Sequence, residues 1–255
     1  MAKIILKTED QIALIRKASQ ITSSILDKVA DIIKPGITTE QINTFVHNMT
    51  LDAGATPACL GYSGFPKSVC TSINDVICHG IPSKYEQLNK GDIVNVDVTS
   101  IWKGYHGDSS RMYFVGGAEA CSDEAVKLVE ITKEALHVGI EVVKPGARVG
   151  DIGAAIQEFI TKQEHDYGIV REYTGHGIGA SFHESPQIVH FGKSGTGPVL
   201  KKGMVFTIEP MINLGTYKTV LSKLDGWTVR TADGELSAQW EHTIAVTDDG
   251  YEILT

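Results

Sequence analysis

Lys90-Gly91-Asp92-Ile93-Val94-Asn95-Val96-Asp97 and Lys202-Gly203-Met204-Val205-Phe206-Thr207-Ile208-Glu209 are two versions of one stretch. After the shared Lys-Gly, apolar and polar residues coincide at every position but the first, and each run finishes on an acid. Short runs of this kind, mostly apolar, are read as strands. Each therefore carries a carboxylate into or beside a core, where an ionised group is costly unless it is paired or holds a metal. Two such acids on duplicated strands point to a symmetric site for cations.

The doubling extends outward from these strands. Lys34-Pro35-Gly36 recurs 110 positions later as Lys144-Pro145-Gly146. A helical stripe follows each, Ile42, Phe45, Val46 and Met49 in the first and Ile152, Ala155, Ile156 and Phe159 in the second. Spacing of i, i+3, i+4 and i+7 lays one helix face on a core. His79-Gly80-Ile81 recurs as His176-Gly177-Ile178. Each half thus reads helix, Lys-Pro-Gly, helix, His-Gly-Ile, Lys-Gly strand, acid. A period near 110 residues is too long for a solenoid repeat. The expected fold class is α+β, with two halves, roughly residues 1–118 and 119–255, packed face to face around a site at their junction.

The chain has 255 residues, 42% of them hydrophobic, and a formal net charge of −8. That is enough for a sizeable core. An acidic balance disfavours nucleic acid or an anionic membrane as the main partner and suits cations or an amine-bearing substrate. The four cysteines, at 59, 70, 78 and 121, form no Cys-x-x-Cys pair and read as free thiols of a reducing cytosol. Thr8-x-x-Gln11 reads as a capping box opening a helix with Ile12, Ile15, Ala18, Ile21 and Ile25 inward, rather than as the start of a signal peptide. No apolar run approaches the roughly 18 residues that span a bilayer. The expected location is cytoplasmic.

Five residues stand out as metal ligands in strand-like or glycine-rich surroundings: Asp97, Asp108, His176, Glu209 and Glu241. Four carboxylates and one imidazole can hold two divalent ions, because carboxylates bridge, and four anions balance two such ions. An oxygen-rich set favours manganese or iron(II) over a thiolate-type zinc site, and ligand softness leaves manganese, iron, cobalt and zinc all open. Taken singly, Asp108 also reads as a turn residue before Ser109-Ser110, and Glu241 as a strand-edge acid. Asp97 and Glu209 are tied together by the repeat.

Cys78-His79-Gly80, Asn95-Val96-Asp97, Gly107-Asp108, Gly175-His176-Gly177-Ile178-Gly179, Phe182-His183-Glu184, Thr207-Ile208-Glu209-Pro210 and Ala238-Gln239-Trp240-Glu241-His242-Thr243 together resemble the type I methionine aminopeptidases. The resemblance covers nearly the whole chain. It implies the pita-bread fold, two pseudo-symmetric α+β halves with curved antiparallel sheet covered by helices, as a single catalytic peptidase domain over residues 1–255. It implies that Asp97, Asp108, His176, Glu209 and Glu241 hold two divalent metal ions (Fe2+, Mn2+, Co2+ or Zn2+), with Asp108 and Glu241 bridging. His79, His183 and Glu209 become the catalytic residues. Glu209 moves the proton of the attacking water, His183 supports the developing oxyanion, and His79 holds the scissile amide. The methionine pocket falls on Cys59, Tyr62, Phe65, Cys70, Phe182 and Trp227, a mix of thiols and rings suited to a thioether. Without the resemblance these read as core aromatics and thiols. A monovalent cation, Na+ or K+, is implied on backbone oxygens near Asn74, Val76 and Ser237.

The sequence departs from the family at Ser63, Phe65, Thr174 and Trp240, which touches the pocket rim and leaves the ligand set intact. The implied activity is removal of the N-terminal methionine from nascent proteins with a small second residue. The expected partners are nascent polypeptide N-termini at the ribosome, with no nucleic acid, no membrane and a monomeric enzyme. Proline-directed peptidases of the same fold usually carry a large N-terminal domain, for which the helix beginning near Thr8 leaves no room. Type II methionine aminopeptidases carry an insertion where only 25 residues separate His183 from Glu209. A non-catalytic binding protein of this fold is expected to have lost ligands, and all five positions are filled.

Overall fold

A computed structural model of the chain describes residues 3–255. The first half contains α1 (Glu9–Val29), α2 (Thr39–Asp52), β1 (Thr56–Pro57), β2 (Cys70–Ile73), β3 (Val76–Cys78), β4 (Ile93–Trp102) and β5 (Tyr105–Phe114). The second begins with α3 (Asp123–Glu141) and α4 (Val149–Thr161), followed by β6 (Gly168–Ile169), β7 (Gly175–Gly177), β8 (Glu184–Ile188), β9 (Val205–Ile208) and β10 (Met211–Asn213). It ends with β11 (Thr219–Leu221), β12 (Val229–Thr231), β13 (Ser237–Gln239), β14 (His242–Val246) and β15 (Tyr251–Ile253).

The β4–β5 hairpin is the spine of the first half. Its register runs from Ile93 opposite Phe114 to Trp102 opposite Tyr105. Lys103 and Gly104 close it with φ of 48° and 81°, the backbone of a tight hairpin turn whose twist matches the strands. β1 and β2 pair with the other edge of β4, near its two ends. Because strand side chains alternate, Val94, Val96 and Val98 share one face. They pack with Ile21, Ile25 and Leu26 of α1 and Ile42 and Val46 of α2. Asn95, Asp97 and Thr99 take the opposite face. α1 begins with the expected capping box between Thr8 and Gln11, and all five of its predicted inward residues are buried.

In the second half, β15, β14, β9, β7 and β8 form one sheet in that order. Phe206, Ile208 and Ile244 of this sheet pack with Leu128 and Leu136 of α3 and Ile152 and Ile156 of α4 in the largest buried cluster. Two smaller sheets, ordered β13-β10-β6 and β11-β12-β3, complete the fold. The latter pairs β3 of the first half with β12 of the second. All pairings are antiparallel. This is the pita-bread architecture.

Equivalent backbone bonds recur in the two halves. Gly36 N donates to Leu88 O at 2.7 Å and Leu88 N to Ile37 O at 2.9 Å. Gly146 N donates to Leu200 O at 3.0 Å and Leu200 N to Ala147 O at 2.7 Å. Gly36 and Gly146 make both turns at φ of 88° and 89°, where a side chain would be strained.

The two opening stretches nevertheless differ. Asp97 was expected at a strand end, but β4 continues for five residues past it to Trp102. Glu209 does follow immediately on β9, and Pro210 then removes the next backbone donor. The hairpin turn at Lys103-Gly104 keeps β4 paired, whereas proline ends its counterpart.

Candidate metal centre and cavity

Asp97 lies opposite Ser110, and Thr99 lies opposite Asp108, across the β4–β5 ladder. The two-residue period therefore puts Asp97, Thr99, Asp108 and Ser110 on one face of the hairpin, away from α1 and α2. The other acids arrive from the second half. Glu241 sits between β13 and β14, where its N–H donates to Ser110 O at 3.2 Å and its carbonyl accepts from Ser109 Oγ at 2.7 Å. Thr243 Oγ1 donates to Asp108 O at 2.8 Å. The junction between the halves is thus sewn together at the residues that carry the site.

Asp108, His176 and Glu241 each offer a ligand atom within 4.8 Å of the others. His176 Nε2 is 3.6 Å from Asp108 Oδ2 and 3.7 Å from Glu209 Oε1. Its other ring nitrogen, Nδ1, is 3.0 Å from Gly177 O. Donation there fixes the tautomer and leaves the Nε2 lone pair facing the carboxylates, the arrangement of a ligating histidine. Thr99 Oγ1 donates to Asp108 Oδ1 at 2.7 Å, and Thr207 Oγ1 donates to Glu209 Oε1 at 2.7 Å. Gln239 Nε2 donates to Glu209 Oε2 at 3.2 Å. His190 Nε2 accepts from Glu209 N at 3.0 Å, and burial takes this histidine down to about 3, so it stays a neutral acceptor.

The electrostatics of this cluster are unbalanced. Burial, with Asp108 and Glu209 adding to it, holds the Asp97 carboxyl well above its usual range. Glu241 is raised by burial and by Asp108, Glu209 and Asp97. Glu209 is pushed up to about 7, mainly by burial, with His176 opposing. Burial disfavours charge on His176, but the adjacent Asp108 and Glu209 outweigh it and raise its proton affinity. Among the described residues, no lysine or arginine lines the cavity. Four acids facing one another without a basic side chain fit divalent cations as the missing counter-charge. The single imidazole among oxygens suits metals that accept mixed N/O sets.

The cavity has a volume of about 350 Å³ and is also lined by His79, His183, Cys59, Tyr62, Phe65, Cys70, Phe182 and Trp227. Cys59, Phe65 and Cys70 form a buried cluster against which Phe182 and Trp227 pack. Phe65 meets Trp227 edge-on at 5.2 Å, and Tyr62 tilts against Phe182 at 4.9 Å. His183, partly exposed, hydrogen-bonds Tyr62 Oη through Nδ1 at 2.8 Å. His79 follows β3 with a left-handed φ of 59° and meets Tyr173 and Trp227 edge-on. Burial takes His79 down to about 4, and desolvation inside the cavity with His176 beside it takes the partly exposed His183 down to about 4, so each is neutral near pH 7. The repeat pairs His79 with His176, but His176 belongs to the acid cluster and His79 to the aromatic wall.

Asn74 and Ser237 also come together, with Ser237 N donating to Asn74 O at 2.9 Å, and Val76 begins β3 two residues on. Ser237 Oγ is buried without a hydrogen-bond partner. All four cysteines are free thiols, as expected. Sequence reasoning assigned no role to Thr99, Thr207 or Gln239. The signal was available, since each lies two residues from an acid in or beside a strand and so shares its face.

A family model described as metallopeptidase family M24 matches residues 13–248. The chain belongs to that family of metallopeptidases. Its similar relatives include the methionine aminopeptidase of Rickettsia prowazekii, 54% identical over 251 residues, covering 97% of this chain and 93% of the relative. Methionine aminopeptidase A of Synechocystis is 55% identical over 252 residues, covering 99% and 97%. The crystal structure of the Rickettsia prowazekii methionine aminopeptidase superposes with a TM-score of 0.95 at 52% identity, covering 99% of this chain and 100% of that one.

Proposed function

We propose that the protein is a methionine aminopeptidase that removes the N-terminal methionine of nascent polypeptides whose second residue is small. The observation that carries this reading is the cavity itself. One wall presents four converging acids and His176, and the other presents thiols and aromatic rings, with His79 and His183 between. Asp97, Asp108, His176, Glu209 and Glu241 would hold two divalent ions. When bound, such ions lower the pKa of water and polarise a carbonyl.

The chain's own groups do the rest. Glu209 is held at Oε1 by Thr207 and at Oε2 by Gln239, so its carboxylate is fixed as it takes a proton from the attacking water and passes it to the leaving amine. His183, with Nδ1 turned to Tyr62, offers Nε2–H to the developing oxyanion. His79 holds the scissile amide. Cys59, Tyr62, Phe65, Cys70, Phe182 and Trp227 enclose the methionine side chain and exclude water from it, with sulfur–aromatic contacts adding selectivity. A monovalent cation would sit on backbone oxygens near Asn74, Val76 and Ser237.

This reading describes a monomeric cytoplasmic enzyme of one domain over residues 1–255 that meets its substrates at the ribosome. No helix among the described residues is long and apolar enough to cross a membrane. Methionine release from Met-Ala-Ser by the Mn2+-loaded protein tests the activity, with Met-Leu-Ser and Xaa-Pro peptides as comparisons. Glu209→Ala should lower kcat by roughly 10²–10⁴-fold with folding retained. Full turnover by this variant, or by protein dialysed against chelator, would overturn the assignment.

A further inference from the structure

The ammonium of Lys7 lies inside the protein. Only 3% of its side chain is exposed, and 7% of that of Glu184, its ion-pair partner. Burying such a pair gains little stability over an apolar packing of the same volume, so its presence calls for another explanation. Neither residue lines the cavity. Glu184, however, directly follows Phe182 and His183, which do.

The turn from Gly179 to Glu184 is gripped at both ends. At one end His106 N donates to Gly179 O at 2.9 Å, with His106 Nδ1 on the same oxygen at 3.0 Å. The His106 ring stacks on Phe182 at 5.7 Å. At the other end Lys7 Nζ pairs with Glu184 Oε2 and also donates to Ile5 O at 3.2 Å. Glu184 Oε1 accepts from Ser181 N at 3.2 Å, closing the turn on the same carboxylate. The segment carrying Lys7 is itself fixed, because Lys7 N donates to Gly203 O at 2.7 Å and Thr8 caps α1. Gly179 leaves room for the lysine stem, since a Cβ there would lie 2.5 Å from Lys7 Cε.

We propose that Lys7 is a positioning residue. Its ammonium anchors Glu184 from behind, and through that turn it sets where the His183 imidazole stands in the cavity. The segment ahead of α1 thus takes part in catalysis without touching substrate. This inference rests on the role given to His183 above.

The test combines Lys7→Met with His183→Ala in the Mn2+-loaded enzyme, and follows histidine ring resonances in the metal-free protein. Lys7→Met should lower kcat on Met-Ala-Ser by roughly 10- to 100-fold through misplacement of His183. Added to His183→Ala, it should cost no further turnover, because the residue it positions is gone. The His183 ring resonance, assigned by its loss in His183→Ala, should move in Lys7→Met while that of His47 on α2 stays. Multiplying losses in the double variant, or an unmoved His183 resonance, would overturn the inference. If His183→Ala keeps full turnover, the functional reading of His183 fails, and the resonance still decides whether Lys7 positions it. Should Lys7→Met not fold, Glu184→Gln removes the charge while keeping an acceptor for Ser181, and carries the same comparisons.

Discussion

Thr207 and Glu209 show how a single hydroxyl fixes a buried carboxylate. The Thr207 hydroxyl fixes Oε1 of an acid whose proton affinity is raised by burial. Thr207→Val keeps the shape of the side chain and removes that donor. A lost hydrogen bond to a charged group is worth about 1.5–3 kcal/mol, so kcat should fall roughly 10- to 100-fold with an unchanged circular dichroism spectrum. The aromatic wall of the cavity makes a different prediction. Trp227→Ala removes the ring that meets Phe65 and His79, so KM for Met-Ala-Ser should rise more than kcat falls, in steady-state assays.

The elements act as carriers whose packing fixes the angle of each ligand. Gly107 sits one residue before Asp108, and a Cβ there would overlap the α1 backbone at Ala18 and Ser19. Thr22 Oγ1 also donates to Gly107 O at 2.8 Å, holding β5 against the helix. Gly107→Ala should therefore push β5 off α1 and destabilise the fold by about 1–3 kcal/mol or more, measured by urea unfolding. α4 gives the pH-dependent case. Ser194 Oγ, Arg148 N and Gly195 N all donate to Asp151 and lower its pKa, tying the 192–197 loop to the helix start. A depressed carboxylate stabilises above its unfolded pKa of about 3.9, and that contribution is lost as pH falls through the folded value. Protection factors of the loop amides, taken against intrinsic rates at each pH, should fall below about pH 4 in the native protein. In Asp151→Asn they should already be lower at pH 7.

At the scale of the whole molecule, two half-folds share a site that neither can complete. Asp97 and Asp108 come from the first half, and His176, Glu209 and Glu241 from the second. Their mutual repulsion loads the junction, and divalent ions held there would relieve it. Saturating Mn2+ at 100 times Kd adds about 2.7 kcal/mol to stability by mass action. For a chain of this size that is a rise in Tm of roughly 5–10 °C, reversed by chelator in differential scanning calorimetry. An unchanged Tm would deny that the five residues bind metal. The repeat of Lys-Pro-Gly, helix and Lys-Gly strand was enough to predict two α+β halves with acids at their meeting place, because strand and helix periods and turn chemistry are local. The same periods put the whole stripe of α1 inward, and Ile42 and Val46 of α2 and Ile152 and Ile156 of α4 with it, while Phe45, Met49, Ala155 and Phe159 stay partly exposed. The sequence could not place Asp97 inside a strand rather than at its end, since that depends on a hairpin whose pairing continues to Tyr105. The repeat taken alone set His79 and His176 as equals. The family motifs separate them, and the tertiary structure supplies the reason, because the acids Asp108 and Glu209 around Nε2 of His176 come from other parts of the chain. The burial of Lys7 behind His183 was equally invisible, since nothing in a lysine near the N-terminus announces a carboxylate 177 positions away. Local pattern fixes what each segment becomes, whereas charge balance and proton position at the site depend on groups that only folding brings within a few ångströms.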